Sequence, residues 1–133
     1  MEWRAATREE RHLAWLWAAS AAAAVALRPF WLRLAPHLPP CAFRALTGFP
    51  CPTCGSTHAA LALLHGHPLE ALRANPLATA AGLLFLLGGL AAPVWMEVRH
   101  TVPLLPTPLP LGVRVAAVAT LALGWIWVLA VWG

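Results

Sequence analysis

Long apolar runs separated by short charged or proline-rich stretches dominate the chain. Residues 13–27 carry no charge. The run falls short of the roughly 20 residues that a crossing helix needs, but Trp15, Trp17 and the flanking Arg11 and Arg28 can snorkel toward water, which predicts a first membrane helix over 13–27. A second uncharged run starts at Asn75-Pro76 and continues to Met96. Asn caps orphan amides and Pro is preorganised for the first helical position, so a second crossing helix is expected over 76–96, about 30 Å long. The third is expected over 113–132, with Arg114 near one boundary and Trp125, Trp127 and Trp132 toward the other.

The intervening segments read differently. Residues 1–12 mix Arg4, Arg8 and Arg11 with Glu2, Glu9 and Glu10 at helical spacing, predicting an exposed helical lead-in. A cleaved signal peptide is the alternative for the first apolar run, because Ala24-Val25-Ala26 resembles a small-residue cleavage site; the three leader Glu argue against it. Arg28-Pro29 is expected to end the first helix, and Pro36, Pro39 and Pro40 to keep the chain irregular. Short helices are predicted over 56–65, with Ser56 or Thr57 as cap and Gly66 as stop, and over 68–74, with Glu70 and Arg73 as an exposed pair. Both are too short to cross and should lie at the interface. Pro103, Pro106, Pro108 and Pro110 make 97–112 an extended linker without regular helix or sheet. The expectation is an all-α membrane protein, one membrane domain over 1–133, with about three transmembrane helices and short interfacial helices in its first loop, residues 28–75. Gly82, Gly88 and Gly89 either let a neighbouring helix approach closely or face lipid.

Composition agrees with a lipid solvent. The 133 residues are 60% hydrophobic and 11% charged, more apolar surface than so small a soluble domain can enclose. The net charge of +4 comes from scattered Arg without a stripe to follow a phosphate backbone, which excludes nucleic-acid binding and fits attraction to anionic headgroups. With three crossings, Arg4, Arg8, Arg11, Arg99 and Arg114 fall on one side and Arg28, Arg33, Arg44 and Arg73 on the other. That margin of one Arg places the N-terminus in the cytoplasm and the first loop outside.

The candidate chemistry lies in the first loop, CAFRALTGFPCPTCGSTH, where the separations are Cys41-x9-Cys51-x2-Cys54-x3-His58. A Cys-Pro-x-Cys-Gly turn aims two thiolates at one point, and Cys41 and His58 would complete a Cys3His shell for zinc. The same spacing ahead of a helix serves thiol–disulfide exchange, with Cys51 as the more exposed nucleophile and Cys54 resolving. A structural disulfide or inert thiols is the third reading. His65 and His67 complement a helix end, and His12, His37 and His100 fall at water–lipid boundaries; none is given a role.

Cys41, Thr47-Gly48, Cys51-Pro52-Thr53-Cys54-Gly55-Ser56-Thr57, Leu63-Leu64, His65-Gly66-His67, Ala71-Leu72 and Asn75-Pro76-Leu77 occur in that order. The chain thereby resembles an uncharacterised bacterial domain-of-unknown-function family of small membrane proteins with the signature Cys, Thr-Gly, Cys-Pro-x-Cys-Gly-x-Thr-Arg, Leu-Leu-x-Gly, Asn-Pro. The resemblance implies a multi-pass protein of the bacterial inner membrane, and carries over Cys41, Gly48, Cys51, Pro52, Cys54, Gly55, Thr57, Gly66, Asn75 and Pro76 as motif positions. His58 stands where that pattern has Arg, so a Cys3His site is not implied as a family property.

Function is read partly from missing parts. The five acidic residues include no second carboxylate paired in a membrane cavity, and the sequence offers neither a Ser/His/Asp set nor a phosphate loop. A channel or transporter finds no intramembrane charge to work with. The leading expectation is therefore a non-enzymatic membrane protein whose loop, clamped by metal or disulfide, binds a protein partner, another copy of the chain or lipid. A membrane thiol–disulfide oxidoreductase using Cys51 and Cys54 is the alternative.

Overall fold

The computed structural model describes residues 2–133. In chain order the elements are β1 (Glu2–Ala5), α1 (Arg8–Ala26), α2 (Arg28–Leu34), a 3-10 turn (Ala35–His37), α3 (Ala42–Thr47), α4 (Ser56–Leu64), α5 (Pro68–Ala74), α6 (Pro76–Arg99), β2 (Thr101–Leu104) and α7 (Leu111–Trp132). The protein is an all-α membrane fold carrying one small ribbon. Helices α6 and α7 are each long and apolar enough to cross a membrane, and a third span is reached when α1 and the helical stretch after it, bent by 60°, count as one. Apart from short stretches of contact, the long helices expose their side chains, as lipid-facing surfaces do.

Three local outcomes differ from the sequence reading. The lead-in is not helical from its start: Glu2–Ala5 pairs antiparallel with Thr101–Leu104, Trp3 opposite Pro103. Pro103 is tolerated because a strand in a two-stranded ribbon needs donors on one edge only. Helix α1 begins afterward, where Thr7 and Glu10 form a reciprocal capping box, with Thr7 N–H donating to Glu10 at 2.9 Å and Glu10 N–H to the Thr7 hydroxyl at 3.2 Å. The stretch after Arg28-Pro29 is also more regular than expected. Pro29 sits in the first turn of α2, where its missing N–H costs nothing, so it starts a new helix as well as ending the old one. Finally, the residue capping α4 is Gly55, left-handed at φ 79°, and not Ser56 or Thr57.

Helices α1 and α6 run antiparallel in close contact, and the glycines decide how close. A Cβ on Gly88 would lie 2.5 Å from the Trp17 ring, and one on Gly89 would lie 2.8 Å from the Ala21 Cβ and 3.3 Å from the Trp17 carbonyl oxygen. Gly88 and Gly89 thus face a helix, not lipid. At the far end of this pair the ribbon is tied on by Trp95, whose indole donates to the Thr101 carbonyl at 3.1 Å and packs against Trp3 at 5.8 Å. At the opposite end α4 and α5 form a hairpin over the start of α6, around Ala59, Ala62, Ala71 and Ala74. Small side chains let these short helices approach without bulky filling.

Gly89→Val should drive a side chain into α1 and destabilise the protein by about 1–3 kcal/mol, the usual range for overpacking. The expected reading is a lower unfolding temperature in detergent, while Gly112→Ala, which meets nothing within 4 Å, leaves it unchanged.

Candidate three-thiol centre

Two separate pieces of chain bring the sulfurs together. Cys41 occupies the N-cap of α3, and Gly48, left-handed at φ 77°, ends that helix so that the chain returns through Pro50 to the second piece. There the Cys54 N–H donates to the Cys51 carbonyl at 2.9 Å, and the Ser56 N–H to the Thr53 carbonyl at 3.1 Å, closing a tight turn. The Cys41 and Cys51 sulfurs lie 3.4 Å apart, as do those of Cys51 and Cys54, and all three fall within 4.8 Å of one another. Cys51 and Cys54 are buried against Val128 of α7, and Cys41 is half-buried at the rim with Trp132 packed beside it.

The turn is held in place from α6 and α7. Asn75 is fully buried, and its carboxamide donates to the Pro52 and Cys54 carbonyls at 3.0 Å each while its oxygen accepts from the Ala78 N–H at 3.0 Å. Three indoles of α7 donate outward in the same manner: Trp125 to the Pro50 carbonyl at 3.1 Å, Trp127 to Arg73 at 3.1 Å and Trp132 to Ala74 at 2.9 Å. The last two carbonyls belong to the end of α5, where helix acceptors lack internal partners. Gly55 is doubly constrained, because its positive φ excludes most side chains and a Cβ there would meet the Trp132 indole nitrogen at 2.8 Å. Arg44 of α3 closes the ring by donating to the Trp132 carbonyl at 3.2 Å.

The three thiols are not equivalent. The Thr53 hydroxyl, 3.1 Å from the Cys51 sulfur, and then the Cys41 and Cys54 thiols favour the Cys51 thiolate against burial, lowering its pKa to about 7. Burial and the adjacent Cys51 sulfur instead raise Cys54 to about 11. The donor set fits a soft divalent ion. Tetrahedral zinc with bonds of about 2.3 Å separates its sulfurs by about 3.8 Å, and the observed separations need only small adjustment to meet that.

His58, the expected fourth ligand, is not part of the three-sulfur group. Its exposed imidazole lies 3.8 Å from Glu70 and edge-on to Trp132, and His67 reaches the same carboxylate at 3.7 Å. Cys51, read as the more exposed redox sulfur, is as buried as Cys54, and Cys41 is the accessible one. Pro52 supplies a carbonyl to Asn75, Pro76 opens α6, Gly66 is left-handed after α4, and Thr57 is exposed on α4. The sequence reading missed Thr53 and the structural work of the α7 tryptophans. Their placement at the end of an apolar run signals an interface anchor equally well, and only the need of a half-buried indole N–H for an acceptor pointed further.

Residues 41–89 match the model of a family described as a protein of unknown function, DUF2752. The match covers the segment on which the motif resemblance rests. No curated protein and no solved structure matches the chain.

In metal-free protein, alkylation of Cys51 should rise with pH through a midpoint of about 7, as the thiolate forms, while Cys54 stays protonated and slow until pH nears about 11. Thr53→Val removes the leading hydrogen bond and should move the Cys51 midpoint up toward the ordinary thiol value of about 8.5. Peptide-resolved mass spectrometry of the alkylated sites checks both. A wild-type midpoint no lower than that of the variant would contradict the assignment.

Proposed function

We propose that this chain is a multi-pass protein of a bacterial inner membrane whose first loop is clamped by one metal ion, zinc by preference, held by Cys41, Cys51 and Cys54. The clamped loop is a rigid platform at the membrane surface for a protein partner or lipid headgroups. The carrying observation is the convergence of three sulfurs from two chain segments within 4.8 Å. Three thiols at such spacing have little reason to be neighbours unless something bonds them. Burial adds to the argument, since a thiolate buried without a counter-charge is costly and a divalent ion supplies one. Such an ion would fasten α3 to the Cys51–Cys54 turn, adding binding free energy to a loop with few large buried side chains of its own. His58, Glu70 and His67 then form part of the exposed polar face of the platform on α4 and α5.

One observation favours a second reading, thiol–disulfide exchange. The depressed Cys51 pKa beside the raised Cys54 pKa is the asymmetry that a nucleophile and its resolving thiol use. In that chemistry the Cys51 thiolate attacks a substrate disulfide and expels one substrate thiolate. Cys54 then attacks the Cys51 sulfur, releasing the reduced substrate and leaving a Cys51–Cys54 disulfide. The burial of both sulfurs limits a protein substrate's approach, which ranks this reading second.

Purification in detergent without chelator, followed by metal analysis and thiol counting on one sample, separates the two. The metal clamp predicts one zinc per chain with all three thiols protected, and loss of that zinc in each single Cys→Ser variant. No metal with Cys51 and Cys54 oxidised would favour exchange, and no metal with three freely reactive thiols would overturn both.

A further inference from the structure

We propose that the metal ion in this site takes its fourth donor from outside the chain, and that this donor is a thiolate. The inference rests on the metal-clamp reading and adds what the clamped ion binds. Among the described residues, Cys41, Cys51 and Cys54 are the one group of His, Cys, Asp and Glu side chains with ligand atoms converging on a point. Zinc and its analogues in closed structural sites take four protein ligands, whereas three leave a position for an external one. The nearest sequence candidate, His58, is turned to Glu70 and Trp132. Thr53 stands 3.1 Å from the Cys51 sulfur, but an alcohol is a poor partner for an ion in a soft set, and its hydroxyl serves that sulfur as a hydrogen-bond donor.

The access side and the charge indicate the kind of donor. Val128 is fully buried beneath Cys51 and Cys54, so the inner face of the sulfur triangle is closed by apolar packing. Cys41, half-buried, forms the outer rim, and a ligand arrives from that side. Three thiolates prefer a soft fourth ligand over a carboxylate or water. A further thiolate would leave the centre doubly negative, and Arg44, on the helix that Cys41 caps and anchored to the carbonyl of Trp132, supplies positive charge nearby. A small-molecule thiol and a cysteine side chain of a partner protein share this chemistry.

The test loads purified full-length protein in detergent with cobalt(II) and follows its visible and near-ultraviolet spectrum during titration with 2-mercaptoethanol or a cysteine-containing peptide. The inference expects saturable binding and a rise of about one third in the sulfur-to-cobalt band as three sulfur bonds become four. A response to the small thiol alone assigns a small-molecule donor, and a response to both admits a protein cysteine. His58→Ala should bind cobalt and respond as the wild type does. A wild-type spectrum that neither thiol changes would overturn the inference, most directly if His58→Ala became thiol-responsive, because His58 would then be the fourth ligand. Failure to bind cobalt at all, with three reactive thiols, would instead count against the metal clamp itself.

Discussion

The side chain of Asn75 is the interaction on which the site depends. It caps α6, the longest helix, and through the same carboxamide holds the carbonyls of Pro52 and Cys54 on either side of the Cys-Pro-Thr-Cys turn. Its backbone carbonyl receives the buried Thr79 hydroxyl at 2.8 Å, so neither polar side chain is stranded in an apolar setting. A fully buried amide with every group paired is rigid, because any alternative position leaves donors or acceptors unsatisfied at a cost of about 1–3 kcal/mol each. The cysteine turn therefore takes its position from a membrane helix rather than from local chain preference.

Lipid makes this economy of polar contacts effective. Apolar side chains on the long helices gain little by packing against one another instead of lipid tails, so association relies on close backbone approach and on hydrogen bonds. The α1–α6 contact uses the first, through Gly88 and Gly89, and the α7–loop contact uses the second, through Trp125, Trp127 and Trp132. Trp132 packs on both the alanine cluster of the α4–α5 hairpin and the thiol cluster, joining the two small cores of the loop. Helix α7 is buried at Gly124 and Val128 near this end, while residues 111–123 are exposed.

What could be read from the sequence follows the same division. Uninterrupted apolar runs reveal membrane helices because length and charge alone specify them, and the Cys-Pro-x-Cys spacing reveals a thiol pair because a two-residue separation aims both side chains at one point. Cys41 came from motif order and clustering, and its sulfur does lie beside Cys51. The ribbon of Glu2–Ala5 with Thr101–Leu104 was invisible, because its pairing joins segments nearly a hundred residues apart and each strand alone is polar or proline-bearing. The same limit hid the tryptophan donors, whose acceptors are backbone carbonyls of Pro50, Arg73 and Ala74 and carry no sequence signal. Asn75 was legible as a cap, but its second role, bridging to Pro52 and Cys54, needed the fold.

If α6 positions the cysteine turn through Asn75, removing that carboxamide must loosen the turn while the α1–α6 pair stays intact. Hydrogen–deuterium exchange of the Asn75→Ala variant in detergent measures this directly, peptide by peptide. The account predicts faster exchange across residues 50–56, with residues 80–95 of α6 exchanging as in the wild type. Wild-type protection of 50–56 in a folded Asn75→Ala protein would contradict it and show that the three-thiol turn holds its shape without α6.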